Sequence, residues 1–513
     1  MMLWVDAVFA LQCLLLFVAG SYGQGGSKPH VVMVLVDDMG WNDVQWNNPN
    51  VYMPNLQALA EEGVILNHAY AQEKCTPSRA ALLTGRYPIN TGMQEEVVVA
   101  TQMAGLPMDF KLLPQYMKDY GYATHMIGKW HVGYCDEAYT PTKRGFDSHY
   151  GFYNSGISYS GHSSSEGTEV GLDYRDDLEL ITDNTVYTTT DFTDEAIRII
   201  DNHDKATPMF LYMAYNAPHT PFEVDSSYTA YYDALLRTGN RKTYLGMISA
   251  LDYEVNRLVN KLKDSEMWSN TVFVFYSDNG GTQVQSGQSG NNYPLRGKKG
   301  SLFEGGYRVP AFVNSPLLSN TGYIHDGLFH ITDMFTTLIY LAGGDAAVPS
   351  DIDGINAWNA ISDNTASPRT DLVYNIITKQ YANNKRSTEP HGAIRDLQYK
   401  LIEGNPGGGE LGLEGWVTPA EDSTDILSPI ANVDAYVDPT TNTSYYLFDL
   451  INDPYETNNI AATEPTILAD MIAKLLIEKR SSRRRHAIDN TKDLNAIPSL
   501  NGGSWNPGFC VAT

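Results

Sequence analysis

Cys75 stands two residues ahead of a proline in Cys75-Thr76-Pro77-Ser78-Arg79, and Thr84-Gly85-Arg86 follows. Proline suits the first turn of a helix, so Cys75 is expected just before a helix N-terminus, where unpaired backbone N–H groups and the helix dipole favour an anion. The thiol would therefore occupy an electropositive spot. Taken alone, that describes a buried structural cysteine as readily as a reactive one.

A second group is acidic. Asp37-Asp38 follows the apolar run 31–36, and Asp278-Asn279 follows the run 271–276. Three carboxylates and an amide make an all-oxygen set suited to a hard divalent cation. The same residue types also favour ordinary turns. Cationic and titratable residues complete the inventory: Lys129 and His131 in Gly128-Lys129-Trp130-His131, His219 in Asn216-Ala217-Pro218-His219, and Lys299 in Arg296-Gly297-Lys298-Lys299-Gly300-Ser301. Lysines and a cation could neutralise charge developing on an ester, and a histidine could protonate its departing oxygen.

These residues need a rigid frame. Apolar, β-branched runs at 31–36, 122–127, 209–214 and 271–276 suit strands covered on both faces, and amphipathic stretches between them predict an α/β sheet. One such helix is expected over 55–62, with Leu56, Leu59 and Ala60 on one face, Pro54 near its start and Gly63 as its stop. In such sheets ligands bind beyond the carboxyl ends of the strands. After about residue 385 shorter strand candidates at 399–403 and 445–450 flank the turn Gly407-Gly408-Gly409. A helix over 464–480 follows, with Thr463 as N-cap and Ile467, Leu468, Met471, Ile472 and Leu475 as its buried stripe. The run Arg483-Arg484-Arg485 reads as a solvated helix end.

The chain of 513 residues carries 35 Lys+Arg against 60 Asp+Glu, a net charge of -25, which disfavours nonspecific attraction to nucleic acid or an anionic membrane. An anionic substrate then needs a local cluster of cations. Residues 1–23 read as a signal peptide, because the apolar run 7–19 is too short to span a bilayer and small residues follow it. Cys13 would leave with that segment. Cys135 and Cys510 remain besides Cys75, and an oxidising compartment would allow them to pair. Asn442-Thr443-Ser444 is a glycosylation sequon.

The stretch Cys75-x-Pro77-Ser78-Arg79-x-x-x-x-Thr84-Gly85 resembles the first signature of the type I, formylglycine-dependent sulfatases, and Gly121-Tyr122-x-Thr124-x-x-x-Gly128-Lys129-x-His131 resembles the second. Gly128-Lys129-Trp130-His131 and Pro294-Leu295-Arg296-Gly297 are similar to the arylsulfatase B, or N-acetylgalactosamine-4-sulfatase, group. The resemblance implies an alkaline-phosphatase-like α/β fold, a large mixed sheet covered by helices on both faces, with a catalytic domain at 24–385 and a smaller α+β subdomain at 386–513. It also implies one calcium ion held by Asp37, Asp38, residue 75, Asp278 and Asn279, and oxidation of Cys75 to formylglycine by a formylglycine-generating enzyme. In the family mechanism the hydrated aldehyde attacks sulfur with help from Arg79, and His219 with Lys299 protonates the departing alcohol. His131 then takes a proton so that sulfate leaves, and Lys129 orients the charged oxygens. The expected substrate is an aryl sulfate or a sulfated hexosamine such as N-acetylgalactosamine 4-sulfate, met in the secretory pathway, outside the cell or in the lysosome. Two departures stand out: Glu95-Glu96 where relatives often carry histidine, and few cysteines.

Overall fold

A computed structural model describes residues 27–512 apart from 95, 236–238, 283–288, 345–347, 378–390, 408–414, 417–432 and 482–490. The signal-peptide segment, Gly408, Gly409 and the run Arg483-Arg484-Arg485 lie outside the described residues.

In chain order the first strands are β1 (His30–Val36), β2 (Val64–Tyr70), β3 (Ala123–Lys129), β4 (Ser148–Phe152), β5 (Ser163–Glu166), β6 (Glu169–Leu172), β7 (Arg175–Asp176) and β8 (Glu179–Leu180). They are followed by β9 (Met209–Ala214), β10 (Thr271–Ser277), β11 (Ala311–Asn314), β12 (Tyr323–His330), β13 (Asp371–Ile377), β14 (His391–Asp396), β15 (Tyr399–Glu403), β16 (Tyr436–Val437) and β17 (Ser444–Asp449). Ten of them form one mixed sheet in the order β12-β2-β11-β10-β1-β9-β3-β4-β7-β8. Its centre is parallel, with β1 lying between β9 and β10.

The helices are α1 (Pro54–Glu62), α2 (Cys75–Thr84), α3 (Leu113–Asp119), α4 (Thr188–Asn202), α5 (Ser226–Thr229), α6 (Asn240–Asp264), α7 (Glu304–Tyr307), α8 (Ile331–Leu341), α9 (Trp358–Asp363) and α10 (Pro465–Ser481). Every residue of β1 is buried, which is why the run shows no polar alternation. Val31, Met33 and Leu35 enter one core with Leu82 of α2, Met117 of α3 and Phe335 of α8. Val32, Val34 and Val36 enter the opposite core with Leu56 of α1, Phe192 of α4 and Leu251 of α6. The mixed sheet thus carries helices on both faces, as in the alkaline-phosphatase-like fold.

A second, antiparallel sheet runs in the order β13-β14-β15-β17-β16. Leu468, Met471 and Leu475 of α10 are buried against it, while Ile467 and Ile472 are partly buried. A division at residue 385 would pass between β13 and β14, which pair from Asp371 opposite Asp396 to Ile377 opposite His391. Nor does the tail stay with the small sheet, because Trp505 is fully buried in the first core of the large sheet. Local texture changes near residue 385, but strand pairing and tail packing cross that point. A disulfide joins Cys135 to Cys510.

Candidate active site

Register brings the acidic pairs together. Val36 of β1 lies opposite Ser277 of β10, so the residues that follow each strand emerge side by side. The backbone N–H of Asp278 donates to Val36 O at 3.0 Å, and that of Asp38 donates to Asp278 Oδ1 at 3.2 Å. Asp38 adopts a φ of 66°, in the left-handed region that a non-glycine residue rarely enters without a local demand. On the other side of β1, Leu35 faces Ala214 of β9, which in turn faces Gly128 of β3. Lys129 therefore arrives at the same edge. Gly128 is required there, since a Cβ would lie 2.0 Å from Ala214 O at a φ of 104°.

Cys75 is the first residue of α2, with Lys74 as the extended N-cap residue and Pro77 still in the first turn. Its Sγ lies 3.4 Å from Asp37 Oδ1 and 3.1 Å from Lys299 Nζ. One helical turn on, Arg79 donates from Nε and Nη2 to Asp278 Oδ2 at 3.2 and 2.9 Å, and from Nη1 to Lys129 O at 2.9 Å. Lys129 Nζ donates to Asp37 Oδ2 at 2.5 Å. Lys299 Nζ also donates to Asp38 Oδ1, whereas the backbone N–H of neighbouring Lys298 donates to Ser301 Oγ. Of the two adjacent lysines, Lys299 is the one beside the thiol. His219 Nε2 stands 3.9 Å from Asp38 Oδ2. His131 sits one residue beyond Trp130 at a φ of 56°, and Thr76 of α2 donates to its backbone carbonyl at 2.7 Å.

The two histidines have different free nitrogens. A carbonyl oxygen can only accept, so the 3.2 Å contact from His131 Nε2 to Val98 O assigns the proton to Nε2. His131 Nδ1 is buried without a hydrogen-bond partner among the described residues. Burial, with Lys129 and Arg79 adding to it, holds this ring well below the usual histidine range, so it is a neutral proton acceptor. His219 reverses the arrangement: Nδ1 donates to Thr220 O at 2.7 Å and leaves Nε2 to titrate near Asp38. Burial lowers its pKa as well, while Asp37 acts in the opposite direction.

Burial opposes ionisation of Asp37, yet Lys129, His219 and Arg79 hold its carboxyl well below the usual carboxylate range. Asp38 is likewise lowered, by Lys299 and His219 acting against burial. Asp278 is pushed up to about 6 by burial and the neighbouring Asp37 charge. Burial, then Asp278 and Asp37, push the Cys75 thiol up to about 12. Although burial opposes its charge, Asp38 keeps Lys299 well above the usual lysine range, so it remains an ammonium.

The donor set fits a cation. Ligand atoms of Asp37, Asp38, Cys75 and His219 all lie within 4.8 Å of one another. Asn279 donates its amide to Asp38 Oδ1 at 2.8 Å, leaving a buried Oδ1 with no partner among the described residues. A buried acceptor without a donor is costly unless a ligand completes it, and an oxygen-rich cluster suits a hard cation such as calcium. His219 is a softer nitrogen donor less suited to that ion. Asp278 offers less free valence than the sequence suggested, because Arg79 occupies Oδ2 and the Asp38 N–H occupies Oδ1.

Sequence reading missed several supports. Thr282 donates to Asp38 Oδ2 at 2.7 Å, and its position shortly after Asp278-Asn279 was its sole signal. Glu73, fixed by Tyr307 OH at 2.6 Å and Asn375 Nδ2 at 2.7 Å, anchors the turn leading into Cys75. Glu304 of α7 is surrounded by Tyr70, Tyr374 and Lys400, a convergence with no local sequence signature. Glu96 pairs with Lys74 at 2.8 Å; Glu95 lies outside the described residues.

The family model and the curated relatives agree on one family. The family described as Sulfatase matches residues 29–344. Arylsulfatase J of Mus musculus is 36% identical over 501 residues, covering 94% of this chain and 81% of its own. N-acetylgalactosamine-6-sulfatase of Sus scrofa is 32% identical over 72% of this chain and 73% of its own. Among solved structures, Ps i-CgsB superposes with a TM-score of 0.72 at 29% identity, over 90% of this chain and 94% of that one, and has also been solved with k-i-k-neocarrahexaose. The placement beside arylsulfatase B rests on the sequence motifs alone.

Proposed function

The chain belongs to the sulfatase family and hydrolyses sulfuric esters, and from that premise we propose a calcium-dependent enzyme whose nucleophile is formylglycine made from Cys75. The observation that carries this reading is the placement of Cys75 Sγ at the start of α2, between Asp37 and Lys299. Asp37, Asp38, Asp278 and Asn279 would hold the ion, which supplies positive charge opposite the sulfate oxygens. Residue 75, once converted and hydrated, would offer one hydroxyl for attack on sulfur and a second for the release of sulfate.

The chain's own residues do the rest. Lys129 and Lys299, each held by a hydrogen bond to an aspartate, neutralise charge on the transferring sulfuryl oxygens. Arg79 is tied to Asp278 and Lys129 O, so it orients the acidic cluster and completes the positive wall. His219, with Nδ1 committed to Thr220 O, presents Nε2 to give a proton to the departing alcohol. His131, with Nε2 committed to Val98 O, presents Nδ1 to take one during release.

The substrate is a sulfated hexosamine or a small aryl sulfate, in keeping with what the relatives' names say of them. A secretory route, ending outside the cell or in the lysosome, fits the expected signal peptide and the Cys135–Cys510 disulfide. No helix among the described residues is long and apolar enough to cross a membrane. A formylglycine-generating enzyme is the required maturation partner.

The test combines mass and turnover. Protein from a eukaryotic secretory host should yield a residue-75 peptide with the mass of an aldehyde and should release sulfate from 4-nitrophenyl sulfate or an N-acetylgalactosamine sulfate. Cys75→Ala should abolish release. A fully active enzyme whose Cys75 is still a thiol would overturn the formylglycine reading.

A further inference from the structure

Most of the charged cluster is sealed. The side chains of Asp37, Arg79 and Lys129 have no exposure, whereas Lys299 and His219 each retain 18%, so the site opens to solvent on their side. A further charged pair, Lys74–Glu96, is open to the same degree, at 19% and 21%.

The backbone ties this pair to the opening. Lys74 directly precedes Cys75, and a Cβ built on Gly300 would lie 3.5 Å from Lys74 Cε, so the lysine stem runs along the loop that carries Lys299. Gly300 N donates to Glu73 O at 2.8 Å, which fixes the two segments together. Glu96 belongs to a different loop. Two residues later, Val98 receives the His131 Nε2 contact and donates its own N–H to Thr76 Oγ1 at 3.1 Å. The ion pair therefore bridges the segment beside Lys299 and the segment beside His131.

We propose that the Lys74–Glu96 pair is a charge filter at the mouth of the site, favouring a substrate whose scissile sulfate has uncharged, hydroxyl-bearing surroundings over one with a second anion beside it. The inference rests on the sulfatase reading and deepens it to a substrate class. A sugar hydroxyl can donate to the Glu96 carboxylate while Lys74 stays paired. A second sulfate must instead displace Glu96 from Lys74, leaving that carboxylate uncompensated, or lie beside the paired carboxylate with no cation of its own, in a chain whose net charge is already -25. Lys74 thus does not serve as a free anion site, because Glu96 is already on it.

The experiment compares a hexosamine monosulfate with the corresponding disulfate. The wild-type enzyme should show the higher kcat/KM on the monosulfate. Glu96→Gln, which keeps shape and hydrogen bonding but releases Lys74, should shift the ratio toward the disulfate by about threefold or more at low salt, with the shift shrinking as ionic strength rises. Lys74→Met should move the ratio the other way. Calorimetric binding of the same two compounds to Cys75→Ala and to Cys75→Ala/Glu96→Gln reads the discrimination without turnover, so loss of catalysis cannot be mistaken for loss of the filter. An unchanged ratio in Glu96→Gln, or a wild-type preference for the disulfate, would overturn the proposal.

Discussion

His219 offers the sharpest test at the scale of single residues, because its Nδ1–H is committed to Thr220 O and its Nε2 alone faces the cluster. Burial lowers its pKa from the ordinary 6.5, so the acid form gains population only as pH falls below that value. As the proton donor, His219 should give a kcat/KM limb that declines with rising pH. His219→Ala should lose that limb and should be impaired far more on a sugar sulfate than on 4-nitrophenyl sulfate, whose phenolate leaves without a proton. An equal defect on both substrates would remove His219 from the leaving-group step. His131 belongs to the opposite role for the same kind of reason: its unpaired Nδ1 is neutral, as a base must be.

Between elements, the decisive contact is the buried charge network that fastens the small sheet to α7. Lys400 of β15, fully buried, reaches Glu304 at 3.0 Å and Glu456 at 2.8 Å, while Arg395 of β14 donates to Tyr70 OH and Tyr70 OH to Glu304. Burial pushes Glu456 up to about 7, and Lys400 and Arg395 lower Glu304 against its burial. Removing the one lysine shared by two buried carboxylates should cost about 3 to 5 kcal/mol, so Lys400→Met should lower the urea midpoint far more than Glu456→Gln. The pH sign follows from the raised Glu456 pKa. Its contribution to stability is fully present below the ordinary 4.5 and is lost as pH rises through about 7. Glu456→Gln should therefore flatten the stability profile over that window, and denaturation series at several pH values would show whether it does.

For the whole molecule, the C-terminal tail is the element that closes the structure. After α10 the chain returns to the large unit, where Met103 N donates to Thr491 O and Asp493 N to Thr101 O, each at 2.9 Å. Farther on, Trp505 is buried and Cys510 is bonded to Cys135 across 375 residues of sequence. The segment strapped in this way leads to Val98, which touches His131. Reduction, or Cys510→Ser, should lower stability by about 2 to 4 kcal/mol and expose the tail to proteolysis before the sheet unfolds. Thermal melts with and without reductant, followed by limited digestion, measure both effects. A tail as resistant in Cys510→Ser as in the wild type would show that packing of Trp505 suffices.

Much of the frame was legible because strand burial writes itself into composition: the runs at 209–214 and 399–403 match β9 and β15, and 31–36 and 271–276 fall one residue short of β1 and β10. The helix expected over 55–62 begins at Pro54, and the one over 464–480 is shifted by one residue to Pro465–Ser481. Cys75, Arg79, Lys129, His131, His219 and Lys299 were named from the sequence because their motifs resemble those of the sulfatases, and the packed sheet brings them to one edge. Pairing of distant segments was not legible. Which nitrogen of each histidine is free and whether Cys135 meets Cys510 depend on distances that local residue types do not encode. The same is true of Thr282, Glu304, Lys400 and the Lys74–Glu96 bridge, whose partners arrive from other elements. Sequence determined the chemistry available and the strands that carry it; only the packed sheet, by setting register and burial, decided which groups stand within a hydrogen bond of one another and which of them hold their protons.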